Sequence, residues 1–279
     1  MLLVWNFVSW SLRSDAIHPL APARYMGQFW TIDYSGDPFE LFGAPHIVVM
    51  VVVALISIAL VVRGRRIDTE RHAAIRRTLA ALLVLNEVLW HVWAATEDVY
   101  TIQEMLPLHL CSVMVWLSAY ALVRPNQHLY ELMYFLGVAG SVQALLTPDA
   151  GIFGFPHFRF LQTMISHGLV FIVGIYVVAV EGYRPTRQSV VRVFLGLNLY
   201  ALAVGLLNAA IGSNYLYVNG RPPTPSVIDL MPAWPWYLLY LEVIALGLLA
   251  LLYLPFAGRK SPAVEQAGEP TASTAVVND

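Results

Sequence analysis

The sequence predicts an all-α polytopic membrane protein with seven transmembrane helices, its N-terminus outside and its C-terminus cytoplasmic. Three observations carry this. The 279 residues are 58% hydrophobic and 12% charged, against roughly 25% charged in soluble domains. Seven apolar stretches reach the about 20 residues that a spanning helix needs. With the N-terminus outside, twelve of the sixteen Lys and Arg residues fall in inside segments, which is the asymmetry that fixes orientation.

Taken in order, the chain begins with MLLVWNFVSWSL, which lacks the basic start and small-residue cleavage site of a signal peptide. About twelve residues are too few to span, so this stretch reads as a short amphipathic helix within an external segment, 1–44. The spans follow at roughly 45–63, 78–97, 105–123, 128–147, 162–181, 190–211 and 235–256, one transmembrane domain over 45–256. The loop after the first span carries Arg63, Arg65, Arg66, Arg71, Arg76 and Arg77; Arg124, Arg184, Arg187, Arg192, Arg259 and Lys260 complete the inside set. Arg13, Arg24, Arg159 and Arg221 fall outside, so no basic residue lies deep in a span. Pro107 fits the first turn of the third span, where a missing N–H does no harm. Thr147-Pro148-Asp149 closes the fourth. The last segment, 257–279, is polar, Pro-containing and aperiodic over Ser261–Asp279, and reads as a disordered cytoplasmic tail.

Composition also narrows the function classes. A single Cys rules out an intramolecular disulfide and a CxxC metal site. A net charge of −2 gives no reason to expect nucleic acid. The only lysine, Lys260, lies beyond the last span, so no intramembrane amine remains for a retinal Schiff base.

Polar residues gather at one expected depth. Counting along each span at about 1.5 Å per residue puts Cys111, His167, His91, Gln143, Asn208 and Glu242 on six helices, roughly 6–11 Å below the outer surface. Ionisable groups in a membrane are costly and usually face a bundle interior or a wet cavity. One such residue is ordinary helix glue; a shared depth points to a site. Glu131 and Asn198 are the main polar residues of the inner halves.

Helical geometry sorts the roles. Residues two apart point about 200° from each other, so His109 does not serve Cys111 from its own helix. His109 shares a face with Ser112 instead. A base for Cys111 must come from another helix, and both His91 and His167 qualify. Glu87 and His91, at i and i+4, are spaced so that the carboxylate can orient the imidazole. A Cys–His pair on two helices is the minimum for covalent acyl transfer. Against this stands the ordinary fate of a membrane cysteine, which packs as a small apolar side chain.

The motifs MLPLHLCS (105–112), LLTPD (145–149) and FPHFRFLQTMISHGL (155–169) together resemble the YwaF-like bacterial integral membrane family. That family is similar to the eukaryotic transmembrane protein 164, and the likeness covers roughly residues 40–255. The resemblance implies a lipid acyltransferase with Cys111 of PLHLC as nucleophile and His167 of ISHG as its partner, and it leaves the role of His109 open. It further implies a membrane phospholipid or lysolipid substrate and residence in a cell membrane, the bacterial inner membrane for a bacterial member. No cofactor is implied. Ser112, Gln143 and Asn208 are candidate donors to a tetrahedral intermediate.

Other readings compete. Glu87, His91, His109 and His167 offer ligands of the kind zinc takes, although no compact HExxH motif supports a metal-dependent hydrolase. A solute transporter or sensor would use the same polar layer, but no paired broken helices mark a midplane site. A structural role is the fourth class.

Overall fold

The computed structural model describes residues 28–148, 151–223 and 226–258. The amphipathic helix expected near the N-terminus and the tail from 259 onward lie outside the described residues. Among the described residues the regular structure is helical: α1 (Ala44–Arg63), α2 (Thr69–Thr96), α3 (Leu110–Val123), α4 (Gln127–Leu146), α5 (Phe158–Ala179), α6 (Arg187–Ile211) and α7 (Tyr237–Tyr253). Six of them, all but α3, are long and apolar enough to cross a membrane. The protein is an all-helical multi-pass membrane protein.

Local chemistry sets the helix ends. Pro45 opens α1. Asn126 caps α4, its side chain accepting from the amides of His128 and Leu129. Thr186 and Ser189 form a reciprocal capping box on α6, which stops at Gly212 in the left-handed conformation (φ 68°). These caps satisfy backbone groups that a helix end leaves without partners.

α5 is the central column. It packs against α1, α2, α3 and α4, and most of it is buried, whereas α6 and α7 leave most of their residues exposed or half-buried. A wide π-type turn, Met133–Gly137, interrupts α4 where it meets α5. There Gly174 of α5 lies so close that a Cβ would sit 2.5 Å from Val138 Cγ2 and 2.9 Å from the Met133 carbonyl oxygen. Only glycine permits that approach, and π-type turns are frequent near functional sites.

The basic end of the bundle is clamped by two carboxylates. Buried Glu131 of α4 accepts from Ser189 Oγ (3.0 Å) and Arg192 Nε (3.0 Å) of α6. Glu181 accepts from Arg76 Nη1 (3.2 Å), Tyr130 (3.2 Å) and Tyr176 (2.9 Å), joining α2, α4 and α5. Glu131 is therefore a structural pairing.

The third expected span is corrected by the structure. Instead of a helix over 105–123 with Pro107 in its first turn, α3 starts at Leu110 and has 14 residues. At about 1.5 Å per residue it is about 21 Å long, short of the ~30 Å hydrocarbon thickness. The residues before it form turns whose polar groups are satisfied from elsewhere. The Tyr215 hydroxyl donates to the Ile102 carbonyl (2.7 Å) and accepts from the Leu106 amide (2.9 Å). The Tyr200 hydroxyl donates to the Leu108 carbonyl (2.8 Å). Irregular backbone at membrane depth needs this kind of internal pairing.

Candidate functional site

The late start of α3 puts Cys111 in the first turn of a helix. First-turn amides have no helical carbonyl to bind, and the preceding residue, His109, makes no side-chain capping bond to them. The thiol thus sits at the positive end of the α3 dipole. Across from it lies Gly140 of α4, where a Cβ would be 4.0 Å from the Cys111 sulfur. On the α2 side, Glu87 is near enough for its charge to act on Cys111 and for Ser112 to interact with its carboxylate.

Glu87 is itself buried, and its Oε1 lies 3.8 Å from His91 Nε2. Glu87 Oε1 and His91 Nδ1 are both buried without a hydrogen bond. Buried polar atoms are normally paired, and these two of α2 are exceptions among the described residues.

His167 is held differently. Its Nδ1 lies 2.7 Å from the Thr163 carbonyl oxygen one turn earlier in α5. A carbonyl only accepts, so Nδ1 carries the proton and Nε2 presents its lone pair. His46 and His157 have no such freedom. His46 accepts from the Phe42 amide and donates to the Leu145 carbonyl; His157 accepts from the Arg159 amide and donates to the Thr31 carbonyl. Burial also lowers the His157 pKa, which suits a neutral imidazole pinning the 29–34 segment. At this end of the bundle, only His91 and His167 among the described residues combine proximity to Glu87 or Arg159 with a ring nitrogen that forms no hydrogen bond. No hydrogen bond joins Cys111 to either of them among the described residues.

The expected polar layer separates in the structure. Glu87 and His91 stand on α2, Cys111 and Ser112 on α3, and His167 on α5, three helices that pack on one another. Asn208 is buried as a loop organiser, bonding Tyr215 N and O, Ser213 and Asn219. Glu242 accepts from Asn198 Nδ2 (2.9 Å), a link between α6 and α7. Gln143 is exposed. His109 packs against the rings of Tyr215 and Tyr217, with centroids 5.2 and 5.3 Å away. Helix starts and tertiary partners, which depth counting ignores, account for the dispersal. The four residues considered as zinc ligands do not come together either: among the described residues no three His, Cys, Asp or Glu side chains group as a metal site.

Sequence reasoning misses Arg159. The apolar pattern leaves it in an external loop, but α5 begins at Phe158, four residues before the expected span, so Arg159 belongs to the helix. Its guanidinium lies 3.7 Å from the centroid of the Trp90 ring and bonds Gln162 Oε1 at 2.5 Å. Its charge acts on both Glu87 and His167. The signal that could find it is the FPHFRF run itself, a histidine N-cap followed by aromatic residues. Around Arg159 the sector is closed by aromatic rings: Phe158 tilts against Trp30 (4.5 Å) and Trp90 stacks on Trp93 (5.3 Å). The Trp93 indole donates to the Trp30 carbonyl, and the Trp30 indole to Thr96.

A family model, the TMEM164 family, matches residues 41–253, which takes in all seven helices. No curated protein and no solved structure matches the chain.

Proposed function

The chain belongs to the TMEM164 family, and from that premise we propose an intramembrane lipid acyltransferase or acyl hydrolase in which Cys111 is the nucleophile and His167 the general base. The observation that carries this reading is the position of the lone thiol in the first turn of α3, beside amides that have no helical carbonyl to bind; a thiol in apolar surroundings needs a base to become a thiolate. The tautomer of His167 supports it, since Nε2 is the atom with a lone pair to take the thiol proton.

The reaction has two halves. His167 Nε2 takes the Cys111 proton, and the thiolate adds to the ester carbonyl of a membrane phospholipid. Negative charge on the carbonyl oxygen is met by first-turn amides of α3. The carbon–oxygen bond to the glycerol then breaks, His167 returns the proton to the departing alkoxide, and an acyl thioester remains on Cys111. A lysolipid hydroxyl or a water, deprotonated by His167, attacks the thioester and regenerates the thiol. Lysolipid gives transfer and water gives hydrolysis. Glu87 and His91 support the site from α2.

We place the protein in a cell membrane as a bacterial, YwaF-like member, N-terminus outside. In this arrangement α3 is the seventh crossing, completed by the turns before it. Single cysteines at Ile152 and Arg66 in a Cys111→Ala background are expected to label from outside and inside respectively. External labelling at position 66 would reverse the orientation.

The direct test is intact-mass analysis of the purified chain incubated with isotopically labelled phospholipids. The expected result is an acyl-mass adduct mapped to Cys111 and released by hydroxylamine. Turnover of lipid with an adduct that maps elsewhere would remove Cys111 from the reaction.

A further inference from the structure

Arg159 is a permanent cation in the first turn of a spanning helix, and such residues are costly unless they have a task. It is half-buried and its direction is set. The guanidinium lies on Trp90 and bonds Gln162 Oε1, whose residue is one turn along α5 in the direction of His167. The Gln162 carbonyl oxygen in turn accepts from Asn86 Nδ2 at 3.2 Å, which ties this turn of α5 to α2. Arg159 and His167 are eight residues apart, about 12 Å along the axis, a span of the order of a glycerophospholipid headgroup and backbone. A glycerophospholipid whose ester lies at Cys111 and His167 would extend its phosphate toward this same end of the bundle. The planar guanidinium fork matches phosphate oxygens in pairs.

We propose that Arg159, oriented by Trp90 and Gln162, binds the headgroup phosphate of the acyl donor and selects phosphate-bearing glycerolipids over neutral acylglycerols. This rests on the lipid-substrate reading above but is tested apart from the chemistry. Arg159 is a specificity residue, since it acts on the headgroup rather than on the reacting ester.

The experiment is native mass spectrometry of the full chain in detergent, offered phosphatidylglycerol or diacylglycerol with identical acyl chains. Wild type is expected to retain the phospholipid preferentially. Arg159→Met is expected to lower phospholipid retention roughly tenfold to a hundredfold, the range for a lost charge-assisted bond, with diacylglycerol unchanged. Arg159→Lys keeps the charge without the fork and is expected to fall between the two, which also serves if the Met variant fails to fold. Unchanged phospholipid retention in either variant, or an equal loss of both lipids at matched melting temperature, overturns the proposal. Displacement of the phospholipid by millimolar inorganic phosphate also overturns it, because the ligand would then be a soluble anion. The Cys111 adduct reports separately: Arg159-dependent phospholipid retention without any adduct refutes the acyl-transfer reading and leaves headgroup recognition standing.

Discussion

Cys111→Ala is expected to abolish acyl transfer and hydrolysis, a loss of about 10³-fold or more, as seen when a covalent nucleophile is removed. Folding should survive. The substitution takes one sulfur from a half-buried side chain facing Gly140, at a packing cost of about 1 kcal/mol. Cys111→Ser should retain little activity, because a hydroxyl with the same base is a much poorer nucleophile. The variants are compared at matched folded levels, with lipid extracts read by mass spectrometry. Wild-type turnover by Cys111→Ala on any lipid the parent processes would reduce the thiol to packing.

The second large effect is expected at His167. Removing a general base costs about 10²–10⁴-fold, and His167→Ala should lose activity on that scale. The double variant with Cys111→Ala should be no worse than Cys111→Ala alone, since the two groups act as a unit. His91→Ala tests the alternative. If His91 and Glu87 only support the site, its loss should be milder, about tenfold. A His91→Ala defect as deep as that of His167→Ala would instead make the α2 pair the working base, and the two orphaned buried atoms of Glu87 and His91 give that outcome a structural origin. Thr163 offers no side-chain route to the same result, because it is its backbone carbonyl that holds His167.

Most of the membrane architecture is legible without coordinates. Hydropathy is a running sum over neighbours, so long apolar stretches report α1, α2 and α4 to α7 directly. The Glu87–His91 pairing is legible too, because i,i+4 spacing on one helix is local geometry. His109 is a different case: it precedes the first turn of α3 in extended conformation, so the helical spacing that set it on the Ser112 face does not apply, and the structure places it against the rings of Tyr215 and Tyr217. The shared polar depth is the weaker inference. It assumes that helices begin where hydrophobicity begins, and two of them do not: α3 starts later than the apolar run before Cys111, and α5 starts earlier than its own.

The sequence by itself determined that this chain is a helical membrane protein with a single thiol in an apolar segment. Tertiary structure decided which of those groups meet. The start of α3 depends on Tyr215, whose hydroxyl bonds a carbonyl 113 residues away. Arg159 enters the site through Trp90 of another helix, and Glu242 and Asn208 leave it for partners in α6 and the loop that follows. Periodicity and composition encode the face and depth of one helix at a time. Backbone and charge satisfaction in a low-dielectric interior is settled between helices, because each polar group there must find a partner wherever the folded chain brings one.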